Sequence, residues 1–413
     1  MTQFLKLAAA VAVASAFASE AFAAGFMLTE QSAGALGRAY AGVGVDGLDI
    51  SGTYYNPATM VLHSGTKLQA GFVHIGLNAE YESYFSDQTE NGRLKSQTIP
   101  HGYITHQIND SLWAGLAMTV PWGMGTQYDN NWEGATHGTE TKMRSFDFNP
   151  NLAWKINDKF SIGAGVSIQY VAATLKMSEV QMGLKVDGEY KADSIDWGWN
   201  LGAMWNPTES LRFGVSYRSE IEHHTEGTFT LRTDSPVSGP MSNLFGTKDA
   251  ELIVSGPAWA MATAAWDVND RLSLYGTFRW TDWSSFTELN ITDTHGNTQE
   301  KIKNHWKDAY LGSIGADYRI SEQWTIRGGV GYESSPISNP RYRTSVIPDA
   351  DRWWFAVGAG WKPTKNLQAD MSLALLHGVH ERNLYPSEES SSPIGRYKTL
   401  DAYLFGFQLV YAF

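Results

Sequence analysis

The residues that could do chemistry are histidines, serines and carboxylates, and their spacing does not assemble a catalytic or metal site. His223 and His224 come closest to a metal-binding pair. Neighbouring residues on a strand point to opposite faces, so these two cannot share one ion. The G-x-S-x-G and H-E-x-x-H patterns and the phosphate-binding G-x-x-x-x-G-K-[ST] loop are missing from the sequence. We therefore predict no catalytic residues, no bound metal, no cofactor and no enzymatic activity.

A second unusual cluster places proline and glycine within an apolar stretch. Residues 112–125 read as a strand, but Pro121 lacks the N–H group that a strand uses for pairing. Gly123 and Gly125 weaken the same place. Because lost pairing is costly in a membrane wall, this cluster suggests a deliberate kink. The alternative is that Pro121 only begins an external loop.

The elements that position these residues are strands, because apolar residues recur with a period of two. One face of residues 160–170 is apolar: Phe160, Ile162, Ala164, Val166, Ile168 and Tyr170. Its other face is small or polar: Ser161, Gly163, Gly165, Ser167 and Gln169. Residues 271–280 alternate in the same way. An apolar outer face with a polar inner face is typical of a β-barrel in lipid.

Turn-forming residues divide the chain from Thr66 onward into fourteen strands. Six short turns lie at 109–110, 157–158, 206–210, 268–270, 320–322 and 363–366. Seven longer polar stretches lie near 82–95, 129–140, 178–191, 220–250, 287–304, 333–350 and 378–397. The last strand, 403–413, carries six apolar residues on one face, and we expect it to close against the first. The pattern predicts an all-β fold, a 14-stranded antiparallel transmembrane β-barrel with its long loops outside the cell.

The first 65 residues do not follow this pattern. Residues 1–23 combine Lys6, an apolar run too short to span a bilayer, and an A-x-A boundary at 21–23, which predicts a cleaved signal peptide. Residues 24–65 are rich in glycine and too irregular for strands. Fourteen strands enclose more space than their own side chains fill. We therefore expect 24–65 to form a plug, or hatch, in the lumen of a barrel made by residues 66–413.

Composition favours a membrane location and excludes nucleic acid as a partner. The chain has 16 Trp, 19 Tyr and 18 Phe among 413 residues, of which only 18% are charged, and aromatic belts at membrane interfaces explain this richness. The net charge of −12 would repel phosphates. We expect the bacterial outer membrane as location, with outer-membrane lipid and lipopolysaccharide as neighbours and the barrel assembly machinery as the partner in insertion.

Short motifs in matching order make the chain resemble the FadL family of outer-membrane transporters of long-chain fatty acids and other hydrophobic compounds. Near the N-terminus these motifs are Ala24-Gly25-Phe26, Glu30-Gln31-Ser32, residues 36–40 and Asn56-Pro57-Ala58. Further on they include residues 196–200, 216–219, 283–284, 307–310, 324–327, 335–336 and 348–352. The resemblance implies a fourteen-stranded barrel that is plugged by an N-terminal hatch and is not an enzyme.

The resemblance also implies where a ligand binds and leaves. Phe26 is the counterpart of a hatch phenylalanine in the family's ligand pocket, and Asn56-Pro57-Ala58 is the counterpart of a hatch motif. Gly123 matches the third-strand kink that forms the family's lateral opening, and Pro121 and Gly125 flank it. An apolar pocket could hold a long acyl chain without any charge, since each buried methylene contributes about 0.8 kcal/mol.

A fatty acid carboxylate would also be expected to bind a cation. Lys301 and Lys303 lie where the family offers a basic residue to the ligand head, and either could serve, or both could be solvated loop charges. The family's second basic contact falls on Met177, with Lys176 adjacent but pointing the other way. The loop 178–191 is shorter than in the well-known fatty acid transporters, and the loop 220–250 could supply part of an external groove or be an ordinary loop.

These observations predict passive transport of long-chain fatty acids or similar hydrophobic molecules. A ligand would bind in the lumen beside Phe26, the hatch would move, and the ligand would leave sideways near Gly123. Uptake of aromatic or alkane hydrocarbons by the same route is the first alternative. A general diffusion porin, which needs an open aqueous lumen, is the second. A barrel enzyme acting on lipids is the third.

Overall fold

Among the described residues, twenty-one strands form one antiparallel sheet, and they build fourteen wall strands. Nine wall strands are continuous: β1 (Thr66–Ser83), β3 (Gln97–Gln107), β6 (Glu140–Lys155), β7 (Phe160–Gln181), β8 (Leu184–Thr208), β17 (Trp324–Glu333), β18 (Arg352–Trp361), β19 (Leu367–Gly378) and β21 (Gly395–Ala412). Two short strands, β2 (Thr89–Asn91) and β20 (Asn383–Leu384), add to β1 and β21.

The other five wall strands are each interrupted near their middle. They are β4 (Leu112–Thr119) with β5 (Gly123–Gln127), β9 (Leu211–Arg218) with β10 (Ile221–Thr233), β11 (Gly246–Gly256) with β12 (Trp259–Asp267), β13 (Leu272–Thr281) with β14 (Glu288–Asp293), and β15 (Thr298–Lys303) with β16 (Ala309–Arg319). The interruptions therefore affect the third wall strand and the seventh to the tenth.

The sheet closes on itself. β21 pairs along its length with β1 on one side and with β19 on the other, so the ring has no free edge strand. The predicted fourteen-stranded antiparallel barrel and its closure by residues 403–413 are confirmed. All six predicted short turns join consecutive wall strands.

In the part of the chain that the structure describes, the helices are α1 (Ala33–Leu36), α2 (Gly52–Tyr55) and the 3₁₀ helices Pro57–Leu62, Gly239–Leu244, Trp283–Ser285 and Pro340–Tyr342. The computed structural model describes residues 25–87, 89–91, 95–129, 132–133, 135, 138–181, 184–293, 298–303, 305–345, 347–380 and 382–413. Within these ranges no helix has the length and apolar character needed to cross a membrane.

The wall presents apolar side chains outward and polar side chains inward. On β7, Phe160, Ile162 and Val166 are 47%, 42% and 44% exposed, whereas Ser167 and Gln169 are buried. A water-soluble protein would show the reverse, so the exposed face is the one that lipid covers. Stacked aromatic pairs lie on this face near the short turns, among them Phe160 with Trp205, and Trp324 with Trp361.

Three of the predicted long loops are wrong in extent. β7 and β8 continue as a hairpin through most of residues 178–191, and paired strands also occupy much of 220–250 and 287–304. Strands beyond the lipid layer satisfy their backbone by pairing and need no apolar face. Their sequence therefore lacks the period-two apolar pattern by which the other strands were recognised.

Residues 25–62 lie inside the ring and are almost entirely buried. Ala33 N donates to Gln408 on β21, Gly42 N donates to Thr277 on β13, and Asn56 Nδ2 donates to the Ala203 carbonyl on β8. These wall residues belong to well-separated strands, so the segment spans the lumen. Arg38, fully buried midway along it, pairs with Asp46 and Asp317 and lies 4.0 Å above the Tyr275 ring.

Candidate functional site

The third wall strand breaks at residues 120–122, where the sequence predicts a kink. β4 pairs with β3 up to Met118 opposite Gly102, and β5 pairs with β6 from Gly123 to Gln127. β3 continues to Gln97 along β1. Within the described residues, one backbone hydrogen bond joins β5 to the chain that leads into β3: Lys95 N donates to the Gly125 carbonyl at 3.3 Å. Pro121 lies in the break, and Gly123 and Gly125 lie on β5.

The N-terminal segment supplies part of the missing pairing. We call residues 26–31 the amino arm. Met27 forms an antiparallel bridge with Trp122. Leu28 N donates to the Pro121 carbonyl at 2.8 Å, and Gly123 N donates to the Phe26 carbonyl at 3.0 Å. The arm therefore acts as a short strand added to the broken wall, and it satisfies backbone groups that the break exposes.

Gln31 completes the same pairing with its side chain. Its Nε2 donates to the Val120 carbonyl at 2.7 Å, and its Oε1 accepts from Val120 N at 3.2 Å. One buried amide thus satisfies both backbone groups of the residue next to Pro121. The arm's own backbone is held by two tyrosines, because Tyr55 Oη donates to the Thr29 carbonyl and Tyr103 Oη to the Gln31 carbonyl, both at 2.6 Å.

Phe26 is at the centre of a buried aromatic cluster. Its ring centroid lies 4.7 Å from Trp283, 5.3 Å from Phe286, 5.8 Å from Trp122 and 6.2 Å from Trp306. Its side chain is 1% exposed. Every partner comes from an interruption of a wall strand, namely the third, the ninth or the tenth. The strand breaks therefore build an apolar, aromatic site that the arm fills with its own phenylalanine.

Two buried arginines next to the arm are already paired. Arg279 donates to Thr29 Oγ1 at 2.9 Å and to Glu333 at 2.8 Å. Arg352 pairs with Asp349 and lies 3.8 Å from Glu333. Glu333 also accepts from Trp354 Nε1 at 3.2 Å. The charges in this group balance, so it holds the arm in place without offering excess positive charge.

Glu30 is the exception in this group. It is fully buried, and neither of its carboxylate oxygens has a hydrogen-bond partner in the described structure. Burial, followed by the nearby negative charge of Glu333, raises the pKa of Glu30 to about 8. The docked arm therefore favours the protonated, uncharged form of this side chain.

The other end of the segment is held by continuous wall strands. We call residues 56–62 the anchor. Asn56 Nδ2 donates to the Gly44 and Ala203 carbonyls, both at 3.1 Å, and Ser161 Oγ donates to the Ala58 carbonyl at 3.1 Å. A Cβ at Gly202 would overlap Asn56, and one at Gly163 would overlap Pro57 and Ala58. The wall has no side chain where the Asn56-Pro57-Ala58 motif needs space.

The predicted sites form two groups in space. The structure brings Phe26, Pro121 and Gly123 together, and it places Asn56-Pro57-Ala58 apart from them on β6 to β8. Lys301 and Lys303 lie on β15, opposite Asn290 and Glu288, and their side chains lie outside the described part of the chain. The same holds for the predicted signal peptide, residues 1–23.

Met177 stands where the family has a second basic residue, and the adjacent Lys176 points away from the lumen, as predicted. Met177 packs against the buried core. Lys176 is 39% exposed and pairs with Glu140 at 2.6 Å and with Glu189 at 3.7 Å. Its ammonium group is therefore directed away from the lumen.

Sequence reasoning missed Gln31, Trp122, Trp283 and Trp306 as members of the site. The available signal was a tryptophan next to each interruption of the alternating apolar pattern. A tryptophan of the exposed aromatic belt would instead fit that alternation.

The histidine pair is divided as predicted. His223 is buried and its Nε2 lies 2.9 Å from Gln169 Oε1, whereas His224 is exposed on the outer face. Among the residues that the structure describes, no group of three or more His, Asp or Glu side chains could hold a metal ion.

Comparisons with known proteins agree with this geometry. Residues 14–413 match the family described as outer membrane protein transport protein (OMPP1/FadL/TodX). The long-chain fatty acid transport protein of Escherichia coli K12 is 27% identical over 455 aligned positions, covering 100% of this chain and 99% of that protein. Outer membrane protein P1 of Haemophilus influenzae Rd is 26% identical, with 87% of each chain covered.

Solved structures share the architecture. A FadL homologue from Pseudomonas aeruginosa superposes with a TM-score of 0.83 at 25% identity, covering 94% of this chain and 100% of that one. The toluene transporter TodX of Pseudomonas putida gives 0.71 at 14% identity, covering 94% and 99%, and supports the fold alone. The lipid-facing barrel and these relatives place the protein in the bacterial outer membrane. The chain belongs to the OMPP1/FadL/TodX family of outer-membrane transport proteins.

Proposed function

We propose that the protein carries long-chain fatty acids or similar hydrophobic molecules across the outer membrane, and that it does so without catalysis. A ligand displaces Phe26 from the aromatic cluster, the amino arm leaves the broken third wall strand, and the ligand passes sideways through the break between β3 and β5. The anchor stays on β6 to β8 throughout.

One observation carries the proposal: the arm closes the break with non-covalent contacts that a ligand can replace. The contacts of Phe26 are aromatic and apolar, so an alkyl chain or ring can take its place at little loss of burial. The backbone bonds of the arm to Pro121 and Gly123 then open together. For this exchange to drive movement, the ligand must bind the open conformation more tightly than the closed one.

Fatty acids are the proposed ligand class because the E. coli relative, similar along its full length, is named a long-chain fatty acid transport protein. A cation for the carboxylate would come from Lys301 or Lys303, whose backbones lie on the tenth wall strand near Trp306.

Uncharged hydrocarbons are the second candidate, and one observation favours them. Arg279 and Arg352, which lie next to the arm, are already neutralised by Glu333 and Asp349. A carboxylate would have to displace one of these partners, whereas a hydrocarbon would not.

Uptake by whole cells tests the proposal. Cells that lack their own fatty acid transporter should gain uptake of radiolabelled oleate when they express the protein, and toluene uptake should be measured in parallel. An oleate signal above that for toluene supports fatty acids, and the reverse supports hydrocarbons. Failure to carry either compound would refute transport.

Planar bilayers test the porin alternative. The filled lumen predicts little steady current, and large ohmic conductance steps would contradict a plugged transporter. Release of fatty acid from phospholipid by the purified protein would contradict the absence of catalysis. We further propose that the apolar outer face contacts outer-membrane lipid and lipopolysaccharide, and that the barrel assembly machinery inserts the protein.

A further inference from the structure

A second opening lies in the wall between the eighth and ninth wall strands. The ladder of β11 with β14 consists of Ala250–Asp293 and Glu251–Thr292, and pairing resumes only at Trp259–Thr281 between β12 and β13. Between these points the eighth strand advances eight residues and the ninth advances eleven. Over that interval the described residues show one backbone bond between the two strands, Asp282 N to the Ala258 carbonyl at 2.9 Å.

A cavity of about 460 Å³ occupies this opening. Its lining includes Thr225, Leu252 and Phe286, which are buried side chains on the inner side of the wall. It also includes His224 and Ile253, which are exposed on the outer side. Because exposed residues of the outer face and the buried Phe286 line the same cavity, it extends into the wall from the outer side as far as Phe286.

At the inner end of the cavity lies Phe286, a member of the aromatic cluster around Phe26. Phe286 lines the cavity and its ring lies 5.3 Å from Phe26 and 4.9 Å from Trp306. The break at Pro121 is on the third wall strand and this opening is between the eighth and ninth. The two openings are therefore in different parts of the ring, and the Phe26 cluster contacts both.

The outer rim determines which molecules fit. Glu226 and Glu251 both line the cavity and are exposed carboxylates. They would repel a carboxylate head group. Ile253 at the same rim is 52% exposed. On β8, Asp193 pairs with Glu226, and Ile195, two residues further along, is 63% exposed. The rim is thus acidic and apolar, which suits an uncharged hydrophobic molecule.

We propose that this opening is a second lateral port, through which uncharged apolar molecules such as alkylbenzenes reach the Phe26 cluster. This proposal rests on the transport function proposed above and adds a route that excludes fatty acid anions. Phe286 forms the inner gate of the port, because its ring separates the cavity from Phe26. Fatty acid anions reach the cluster by another path.

A reversible block tests the port. The chain contains no cysteine, so Ser255→Cys, at the lining of the cavity, gives a unique thiol that benzyl methanethiosulfonate can extend into the opening. Ser238→Cys, exposed in the loop between β10 and β11, is the matched control. Dithiothreitol removes the benzyl group, so the same folded protein is measured blocked and open.

Labelling of Ser255→Cys should lower toluene uptake about tenfold, because a filled passage in a close-packed wall admits ligand only after local opening. Dithiothreitol should restore toluene uptake, oleate uptake should stay unchanged, and labelled Ser238→Cys should behave as the unlabelled protein. Unchanged toluene uptake after complete labelling would overturn the port, as would an equal loss of oleate uptake. If the unlabelled protein carries oleate but not toluene, the port is overturned while transport stands. If it carries neither, the transport function itself fails.

Discussion

The amino arm and the anchor are the two ends of one buried segment, and they contact different kinds of wall strand. The arm lies against a broken strand and lends its backbone to complete the ladder at Pro121 and Gly123. The anchor lies mainly against the unbroken strands β6 to β8, where Gly163 and Gly202 leave room for it, and its Met60 also packs on β4 beside Trp113. Removing the arm would open the wall, whereas removing the anchor would leave the wall closed. This difference indicates a movable end and a fixed end.

The largest expected effect is at Phe26. Phe26→Ala leaves a cavity among Trp122, Trp283 and Phe286, and a buried phenylalanine truncated to alanine typically costs about 3–5 kcal/mol. The arm should undock, while the anchor stays. We expect a unique thiol at Met27→Cys to react faster with maleimide in the Phe26→Ala background, and a thiol at Ala58→Cys to react at its original rate. Equal acceleration at both positions would show that the segment moves as one body.

Gln31 should come next. Gln31→Leu leaves the Val120 N–H and carbonyl groups unpaired, at about 1–3 kcal/mol for a buried group. Labelling of Met27→Cys should again accelerate. Gln69→Leu is the matched control, because Gln69 bonds to Ile50 and Gln408 away from the break. If both leucine variants accelerate labelling equally, the two hydrogen bonds of the Gln31 side chain to Val120 have no special role at the break.

The anchor should respond in stability rather than in exposure of the arm. Gly202→Ala places a methyl group against Asn56, and such overpacking costs about 1–3 kcal/mol. The unfolding temperature in detergent, followed by circular dichroism, should fall, while labelling of Met27→Cys stays slow. Gly312→Ala, where a Cβ meets open space, should leave both unchanged. Faster labelling of Met27→Cys in Gly202→Ala would contradict independent ends.

The last expected effect is that of pH on the arm, through the carboxyl group of Glu30. Because the pKa of Glu30 is raised from 4.5 to about 8 in the docked arm, the undocked arm releases its proton at lower pH than the docked arm does. Docking therefore weakens as pH rises from 4.5 to 8 and changes little above that. Glu30→Gln has no proton to release here. The difference in unfolding temperature, variant minus parent, should therefore increase from pH 5 to pH 9. Glu209→Gln, on an exposed turn, should show no such trend.

The barrel was predictable because a lipid-facing wall imposes a period of two and short turns, as in residues 160–170. The kink at Pro121 was predictable because proline cannot donate to a ladder. The interruptions near Pro257 and Asp282 were missed, although Pro257 carries the same proline signal as Pro121 and Trp283 follows Asp282, because each strand resumes within a few residues and hides the break. The aromatic cluster combines residues up to 280 positions apart, and only the closed ring brings them together.

A reversible lock on the arm tests the central claim most directly. Met27 and Trp122 form an isolated antiparallel bridge, and the Leu28 and Gly123 hydrogen bonds lie on either side of it. Residues paired in this way have their Cα atoms about 4.5 Å apart, which a disulfide can span. Oleate uptake is measured for Met27→Cys with Trp122→Cys under oxidation and after dithiothreitol. Ala70→Cys with Leu409→Cys, opposite each other in the β1–β21 ladder, locks the wall alone. We predict that the oxidised arm lock abolishes uptake and reduction restores it, with no effect of the wall lock. Equal uptake by the oxidised and reduced arm lock would contradict a movable arm.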